Sequence, residues 1–238
     1  MTVCIAAICE AGAQIVVAAD RMFTASFPLN LEFEPPLSKI EQLSSKSLAM
    51  AAGSSLAAAE IIEATKERIA EVGGHVFQIA IAARDAYTHL RNAKIDEQIL
   101  NANLGPDFAA FRTRGGTLPA YLQVQPAIYQ QLVIQMSQFN LGVDVLIAGY
   151  EDNGCHIYHL THPGSLTAFD KLGYNAIGIG AIHAMVTLHL GEQSPKAPLA
   201  ATLHAVYDAK IAAEVAPGVG QETEMAVISK DGVWRCSS

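Results

Sequence analysis

Apolar side chains fill the first stretch of the chain at almost every position. The run TVCIAAIC over residues 2–9 is small or apolar on both faces of an extended strand, as in strands with both faces buried. Glu10-Ala11-Gly12 then predicts a turn, and the run QIVVAA over residues 14–19, apolar from Ile15 onward, predicts a return strand that ends at Asp20. The pattern therefore predicts a hairpin over residues 2–20 whose strands lie in the core.

Farther along, the apolar pattern changes between a period of two and a helical period. Short strands are predicted over 39–43 and 47–52, and Ser54-Ser55 predicts the N-cap of a helix. The predicted helices cover residues 54–71, 76–100, 126–138, 181–190 and 198–215. The later predicted strands cover residues 143–149, 155–160, 174–180, 225–229 and 233–236.

This order of elements predicts the fold class. Strands, helices, strands, helices and strands follow one another without a βαβ alternation, and tight turns such as Asp152-Asn153-Gly154 indicate antiparallel pairing. Two antiparallel sheets packed face to face, with helices outside both, bury such elements well. We expect an α+β protein, a four-layer αββα sandwich forming one domain over 1–238. A stretch rich in glycine and proline predicts an irregular helical insertion around 104–124.

Composition narrows the class of protein further. The chain has 238 residues, a net charge of −8 and four widely spaced cysteines, Cys4, Cys9, Cys155 and Cys236. A chain with a net negative charge is repelled by nucleic acid and by anionic membranes. Cysteines that lie far apart in the sequence are typical of proteins in a reducing compartment. With neither a signal-peptide pattern nor an apolar run of spanning length, we expect a cytoplasmic protein with no nucleic-acid or membrane partner.

Two motifs could suggest a cofactor or a metal, and neither has the required spacing. In AIGIGAIHA the third glycine position of a dinucleotide turn is His183, and no acidic residue follows at the distance for a ribose contact. His156, His159 and His162 fall on a predicted strand, where they do not share one face. We therefore expect no cofactor and no metal.

Thr2 is the remaining chemical candidate. Methionine is normally trimmed before so small a residue, and trimming of Met1 would give Thr2 both a hydroxyl and a free α-amine. An α-amine titrates near about 7.7–8.0, so it can act as the base for the hydroxyl at neutral pH. Met-Thr is also a common way for a protein to begin, so this hypothesis requires partner residues.

Several segments supply such partners in a recognisable order. AADRMFTAS is followed by Lys39-Ile40 and then by AMAAGS, and the later half carries VDVLIAGYEDNGCHIYHL, YNAIGIGAIHA and MAVISKDGVW. In order and approximate spacing, from residue 2 to about residue 235, these segments resemble the proteasome β-subunits, which are N-terminal nucleophile hydrolases. The resemblance implies the Ntn-hydrolase version of the αββα sandwich.

The resemblance also implies roles for individual residues. Thr2 would be the nucleophile, Lys39 the cation beside it and Asp20 the carboxylate that pairs with Lys39. Gly53 would donate the oxyanion N–H group, and Thr24 would contact the main chain of the substrate. Because the side chain of Ala51 is small, we expect it to leave room for a bulky residue ahead of the cleaved bond.

Two departures from the family pattern keep alternatives open. The family's Gly-Ser-Gly turn reads Gly178-Ile179-Gly180, and its late Asp-x-x-Ser pair has no clean counterpart, Glu214 lying nearest. The resemblance implies a threonine-type hydrolase of peptide or amide bonds, acting on peptide or protein substrates in a ring-shaped homo-oligomer. The alternatives are a degenerate proteasome-like scaffold subunit, or an amidase or peptide ligase on the same fold.

Overall fold

Two antiparallel sheets form the centre of the protein, in a computed structural model that describes residues 2–25, 31–34, 38–72, 74–104 and 126–236. Each sheet has five strands, which confirms the prediction of two antiparallel sheets. Across the first sheet the strands follow the order Tyr174–Gly178, Val3–Cys9, Gln14–Asp20, Thr223–Ser229 and Gly232–Arg235, and across the second sheet they follow their order in the chain. The predicted insertion around 104–124 lies almost entirely outside the described residues.

The first sheet contains the predicted hairpin at its centre. Its strands are β1 (Val3–Cys9), β2 (Gln14–Asp20), β10 (Tyr174–Gly178), β11 (Thr223–Ser229) and β12 (Gly232–Arg235). Every residue of β1 is buried, because this strand has neighbours on both edges and apolar layers on both faces. The register pairs Cys4 with Ala19 and Cys4 with Ile177, which brings the start of β1 beside the ends of β2 and β10.

The second sheet forms from two hairpins and a short edge strand. Its strands are β5 (Ile40–Ser44), β6 (Ser47–Gly53), β7 (Val143–Glu151), β8 (Gly154–Thr161) and β9 (Ser165–Ala168). A separate two-stranded ribbon joins β3 (Phe23–Ala25) to β4 (Leu31–Phe33). The sequence pattern predicts neither β9 nor this ribbon, because strands of three or four residues show too little alternation of apolar and polar side chains.

The helices follow the predicted positions closely. They are α1 (Ser55–Val72), α2 (Val76–Ile95), α3 (Pro126–Gln138), α4 (Ala181–Leu190) and α5 (Leu199–Ala213). The prediction of one helix over 76–100 was wrong in detail. The regular helix ends at Ile95, and a π-helical turn, Asp96–Leu100, leads into a short helix, Asn101–Leu104.

Three apolar clusters show how these elements are layered. One contains residues of both sheets, among them Cys4, Val17, Met50 and Leu146, so the two sheets share a core. A second joins the other face of the second sheet to α1 and α2, and a third joins the first sheet to α4 and α5. This arrangement is compatible with the predicted sandwich. Among the described helices, none is both long and apolar enough to cross a membrane.

Candidate active site

Thr2 lies immediately before β1 and is almost completely buried, with 4% of its surface exposed. The ammonium group of Lys39 donates a hydrogen bond to the Thr2 hydroxyl and forms an ion pair with Asp20 at 3.0 Å. Lys39 precedes β5, Asp20 ends β2, and Thr2 precedes β1, the strand paired with β2. The two sheets therefore bring together the three residues that the resemblance implies for the nucleophile and its partners.

Asp20 is a fully buried carboxylate with several donors. Its Oδ1 atom accepts from the N–H of Val3 at 2.8 Å, and its Oδ2 atom accepts from the N–H groups of Met22 at 2.9 Å and Gly220 at 3.1 Å. Lys39 supplies the fourth contact. A buried charge is tolerated only when it is paired and hydrogen-bonded, and these donors hold the carboxylate in one orientation.

Lys39 is in turn positioned by its neighbours. The aromatic ring of Phe23 lies 5.3 Å from the Lys39 ammonium, within the range of a cation–π contact. On the preceding residue, the Ser38 hydroxyl lies 2.8 Å from a Glu224 carboxylate oxygen and accepts from the N–H of Ile40 at 3.0 Å. Arg235 ion-pairs with Glu224 and donates to the Ile40 carbonyl at 2.9 Å. These contacts fix the backbone on both sides of Lys39.

Two cavities meet at Thr2. The first, of about 210 Å³, is lined by Thr2 and Lys39 together with residues of β5, β6 and α1. The second, of about 600 Å³, lies between the N-terminus of α1 and the turn after β10. Thr2, Ala52, Gly53 and Ser55 border both. A substrate chain could therefore lie with one part in each cavity and its scissile bond at the Thr2 hydroxyl.

Gly53 has a backbone conformation that favours glycine. Its φ angle is +102°, and an added Cβ atom would lie 2.1 Å from the carbonyl oxygen of Gly142. The residue ends β6 in the wall of both cavities, beside the predicted nucleophile. Its role as the oxyanion donor stays a prediction.

The glycine turn after β10 contacts Thr2 from the other side. A Cβ atom on Gly178 would lie 2.2 Å from the Thr2 carbonyl oxygen, and the N–H group of Gly180 points to the same oxygen at 3.4 Å. Ile179, which stands where the family pattern has serine, lines the second cavity. The turn therefore constrains the backbone of Thr2, but the Ile179 side chain cannot donate a hydrogen bond to it.

Glu214 does not take part in this site. Its carboxylate pairs with the fully buried ammonium of Lys210 at 2.6 Å, and that ammonium also donates to the Gln221 carbonyl at 2.6 Å. The neighbouring Gly220 then donates its N–H to Asp20. The segment after Glu214, where the resemblance would place a late aspartate, thus supports Asp20 through its backbone. Nothing in the local sequence indicated that role for Gly220.

The remaining predicted residues occupy different positions. Ala51 is half-buried and lines the first cavity, and its carbonyl accepts a hydrogen bond from the Cys4 thiol at 3.6 Å. Thr24 lies in β3, paired with Glu32 of β4. Burial raises the pKa of Cys4 to about 12, so this thiol is neutral at physiological pH and a poor nucleophile.

Among the described residues, no group of three or more His, Cys, Asp or Glu side chains is arranged to hold a metal ion. The chain matches no protein-family model, and no curated protein is significantly similar to it in sequence.

Proposed function

We propose that this protein is a threonine-type N-terminal nucleophile hydrolase of peptide or amide bonds, with a fold and site like those of proteasome β-subunits. The observation that carries the proposal is the hydrogen bond from the Lys39 ammonium to the Thr2 hydroxyl. The buried Asp20 carboxylate holds that ammonium in place, and Thr2 and Lys39 both line the first cavity. If the Lys39–Asp20 pair had only a structural role, it would not need to contact the Thr2 hydroxyl where the two cavities meet.

The chemistry begins with removal of Met1, which frees the Thr2 α-amine. The amine takes the proton from the Thr2 hydroxyl as the oxygen attacks the substrate carbonyl carbon. The Lys39 ammonium favours the developing alkoxide, and the Gly53 N–H group stabilises the oxyanion that forms. The carbon–nitrogen bond breaks, the leaving amine accepts the proton, and an ester remains on Thr2. Water, activated by the α-amine, then hydrolyses that ester.

A non-catalytic scaffold is the second candidate, because two family features are replaced. Ile179 supplies no hydroxyl beside Thr2, and the Glu214 carboxylate is engaged by Lys210. An amidase or a peptide ligase would share the first half of the chemistry and differ in whether water or an amine resolves the ester.

Intact mass and covalent labelling distinguish these functions. We expect the purified protein to lack Met1 and to gain the mass of one β-lactone or peptide boronate adduct, which Thr2→Ala abolishes. Ser54→Ala and Ser55→Ala test whether a neighbouring serine carries the adduct, because Ser54 precedes α1, Ser55 begins it, and both line the second cavity with Thr2. Each variant should still gain one adduct. Quantitative retention of Met1, or an adduct on a serine or on Cys4, would contradict the enzyme proposal.

We also propose that the chain forms a homo-oligomer, as the resemblance implies. Exposed apolar residues recur at helical spacing on α4, at Ile182, Val186 and Leu190, and Tyr207 and Ile211 are exposed on α5. Ala209 and Ala213 of α5 are buried against the first sheet, so a contact between subunits on this helix would use the exposed apolar residues. Sedimentation at micromolar concentration should show a species larger than the 25.3 kDa chain, and a monomer alone would refute the proposal.

A further inference from the structure

The first cavity extends from Thr2 along α1 and has walls of mixed character. Apart from Met22 and Phe23, its apolar lining consists of small or aliphatic side chains, at Ala51, Ala52, Ala58, Ala59 and Ile62. Ser55, at the start of α1, borders Thr2 in both cavities, and Glu63 lines the first cavity eight residues farther along this helix. At 1.5 Å per residue, that separation corresponds to about 12 Å along the helix axis.

Two carboxylates border this cavity, and together they already bind one ammonium group. Glu63 on α1 and Glu41 on β5 both line it. The ammonium of Lys66 lies 2.9 Å from a Glu63 oxygen and 3.3 Å from a Glu41 oxygen. The hydrogen bond to Glu63, and then that to Glu41, raise the pKa of Lys66 despite partial burial. Two negative charges share one positive charge, so the group keeps a net charge of −1.

We propose that this cavity selects substrates with a lysine or arginine side chain ahead of the cleaved bond. The inference rests on the proposed function and adds the substrate class. The aliphatic stem of such a side chain packs against the alanines and Ile62, while its charged end reaches the carboxylates of Glu41 and Glu63. A glutamate at the same substrate position would meet like charges and bind poorly. A leucine would fill the apolar walls but leave the carboxylates without a new partner.

Because Lys66 neutralises part of the charge of Glu41 and Glu63, the negative charge beside the cavity can be both lowered and raised by substitution. Replacement of both carboxylates by amides removes the negative charge, whereas replacement of Lys66 by methionine leaves two carboxylates without their internal cation. The two changes should therefore shift the selectivity in opposite senses. A residue that only shaped the cavity would not produce this pattern.

The experiment compares three fluorogenic peptides that differ only at the residue before the cleaved amide, which is arginine, leucine or glutamate. For the mature wild-type protein we expect kcat/KM in the order arginine, leucine, glutamate, with arginine favoured over leucine by about three- to tenfold, as for partly exposed ion pairs. The double variant Glu41→Gln/Glu63→Gln should bring the arginine-to-leucine ratio close to one. Lys66→Met should raise that ratio by about threefold.

Glu67→Gln is the matched control, because Glu67 is an exposed glutamate of α1 outside the cavity lining. It should leave the ratio unchanged, and melting temperatures of all variants should show that each remains folded. Cleavage with a preference for leucine or glutamate, or a ratio that the double variant does not change, would overturn the inference alone. If none of the peptides is cleaved, the proposed function is overturned and the inference with it.

Discussion

In the part of the chain that the structure describes, two lysine–carboxylate pairs are largely buried, and they differ in the second acceptor to which each lysine donates. Lys39 pairs with Asp20 at 3.0 Å, with side chains 8% and 0% exposed. Lys210 pairs with Glu214 at 2.6 Å, with side chains 0% and 23% exposed. Both pairs must offset the cost of taking two charges out of water, so each needs further hydrogen bonds. The group that accepts the further hydrogen bond from each lysine distinguishes a candidate catalytic pair from a structural pair.

The second acceptor of Lys39 is the Thr2 hydroxyl, on the border of two cavities. The second acceptor of Lys210 is the backbone carbonyl of Gln221, which is not a nucleophile. The pairs are nevertheless connected, because Gly220, next to Gln221, donates its N–H to Asp20. An ion pair becomes chemically useful only where its cation faces a group that can react and a space that a substrate can enter.

The largest effect is expected for Lys39→Met. The change removes the cation from the Thr2 hydroxyl, while Asp20 keeps the N–H donors of Val3, Met22 and Gly220. The rate of Thr2 labelling by a β-lactone, followed by intact mass, should fall by about 10²-fold or more, as when an essential acid–base group is lost. A rate within about tenfold of the wild-type rate would show that Lys39 does not activate Thr2.

Lys210→Met should mainly lower stability. It leaves Glu214 without its cation and the Gln221 carbonyl without its donor, so we expect the free energy of unfolding in urea to fall by about 2–4 kcal/mol. At a temperature where the variant is folded, Thr2 labelling should slow far less than in Lys39→Met.

Lys94→Met is the control for this loss, because Lys94 and Glu97 form an exposed pair at 3.4 Å. Its effect on stability should stay below about 0.5 kcal/mol. Equal losses for Lys94→Met and Lys210→Met would mean that burial does not distinguish these pairs. Labelling that slows as much in Lys210→Met as in Lys39→Met would make Lys210 part of the catalytic unit.

At neutral pH the smallest effect is that of Cys4, because this buried thiol near Lys39 and Asp20 changes its charge only in alkali. Burial is the main reason why its pKa rises from 9.0 to about 12, with Lys39 opposing that rise and Asp20 adding to it. The unfolded chain therefore loses this proton at a lower pH than the folded protein. The stabilisation is fully present below pH 9 and declines as the pH rises toward 12.

Cys4→Ala isolates this contribution from the other groups that titrate in alkali. The free energy of unfolding should fall less steeply above pH 9 in this variant than in the wild type. At pH 8, iodoacetamide should modify the exposed Cys236 and leave the buried Cys4 unmodified. Parallel slopes for the two proteins would show that Cys4 does not titrate differently on folding.

Much of the secondary structure could be predicted from local pattern. The helix over 181–190 and the helix over 126–138 coincide with α4 and α3, because their apolar spacing and flanking glycine or proline are strong local signals. The ribbon β3–β4 and the edge strand β9 were missed, since short strands depend on partners that are distant in sequence. The π-helical turn after α2 likewise has no period that local sequence would show.

The candidate site divides in the same way. The resemblance to proteasome β-subunits pointed to Thr2, Asp20 and Lys39 from the sequence, because each lies at the end of a predicted strand, within a segment that matches the family pattern. The support from Ser38 and Gly220, and the carboxylates of Glu41 and Glu63 in the cavity, were not visible, since each depends on elements that meet only in the folded protein.

The sequence by itself determined the order of strands and helices, the antiparallel pairing and the residues able to carry nucleophilic chemistry, because periodicity and side-chain type are local properties. Only the tertiary structure decided that two cavities meet at Thr2, that Gly220 donates its N–H to Asp20, and that Lys210 is enclosed with Glu214. A cavity remains beside Lys39 where the two sheets meet, whereas Lys210 lies on the buried side of α5, the helix that packs against the first sheet. Burial of this kind depends on contacts between elements that are distant in sequence, and local sequence does not show them.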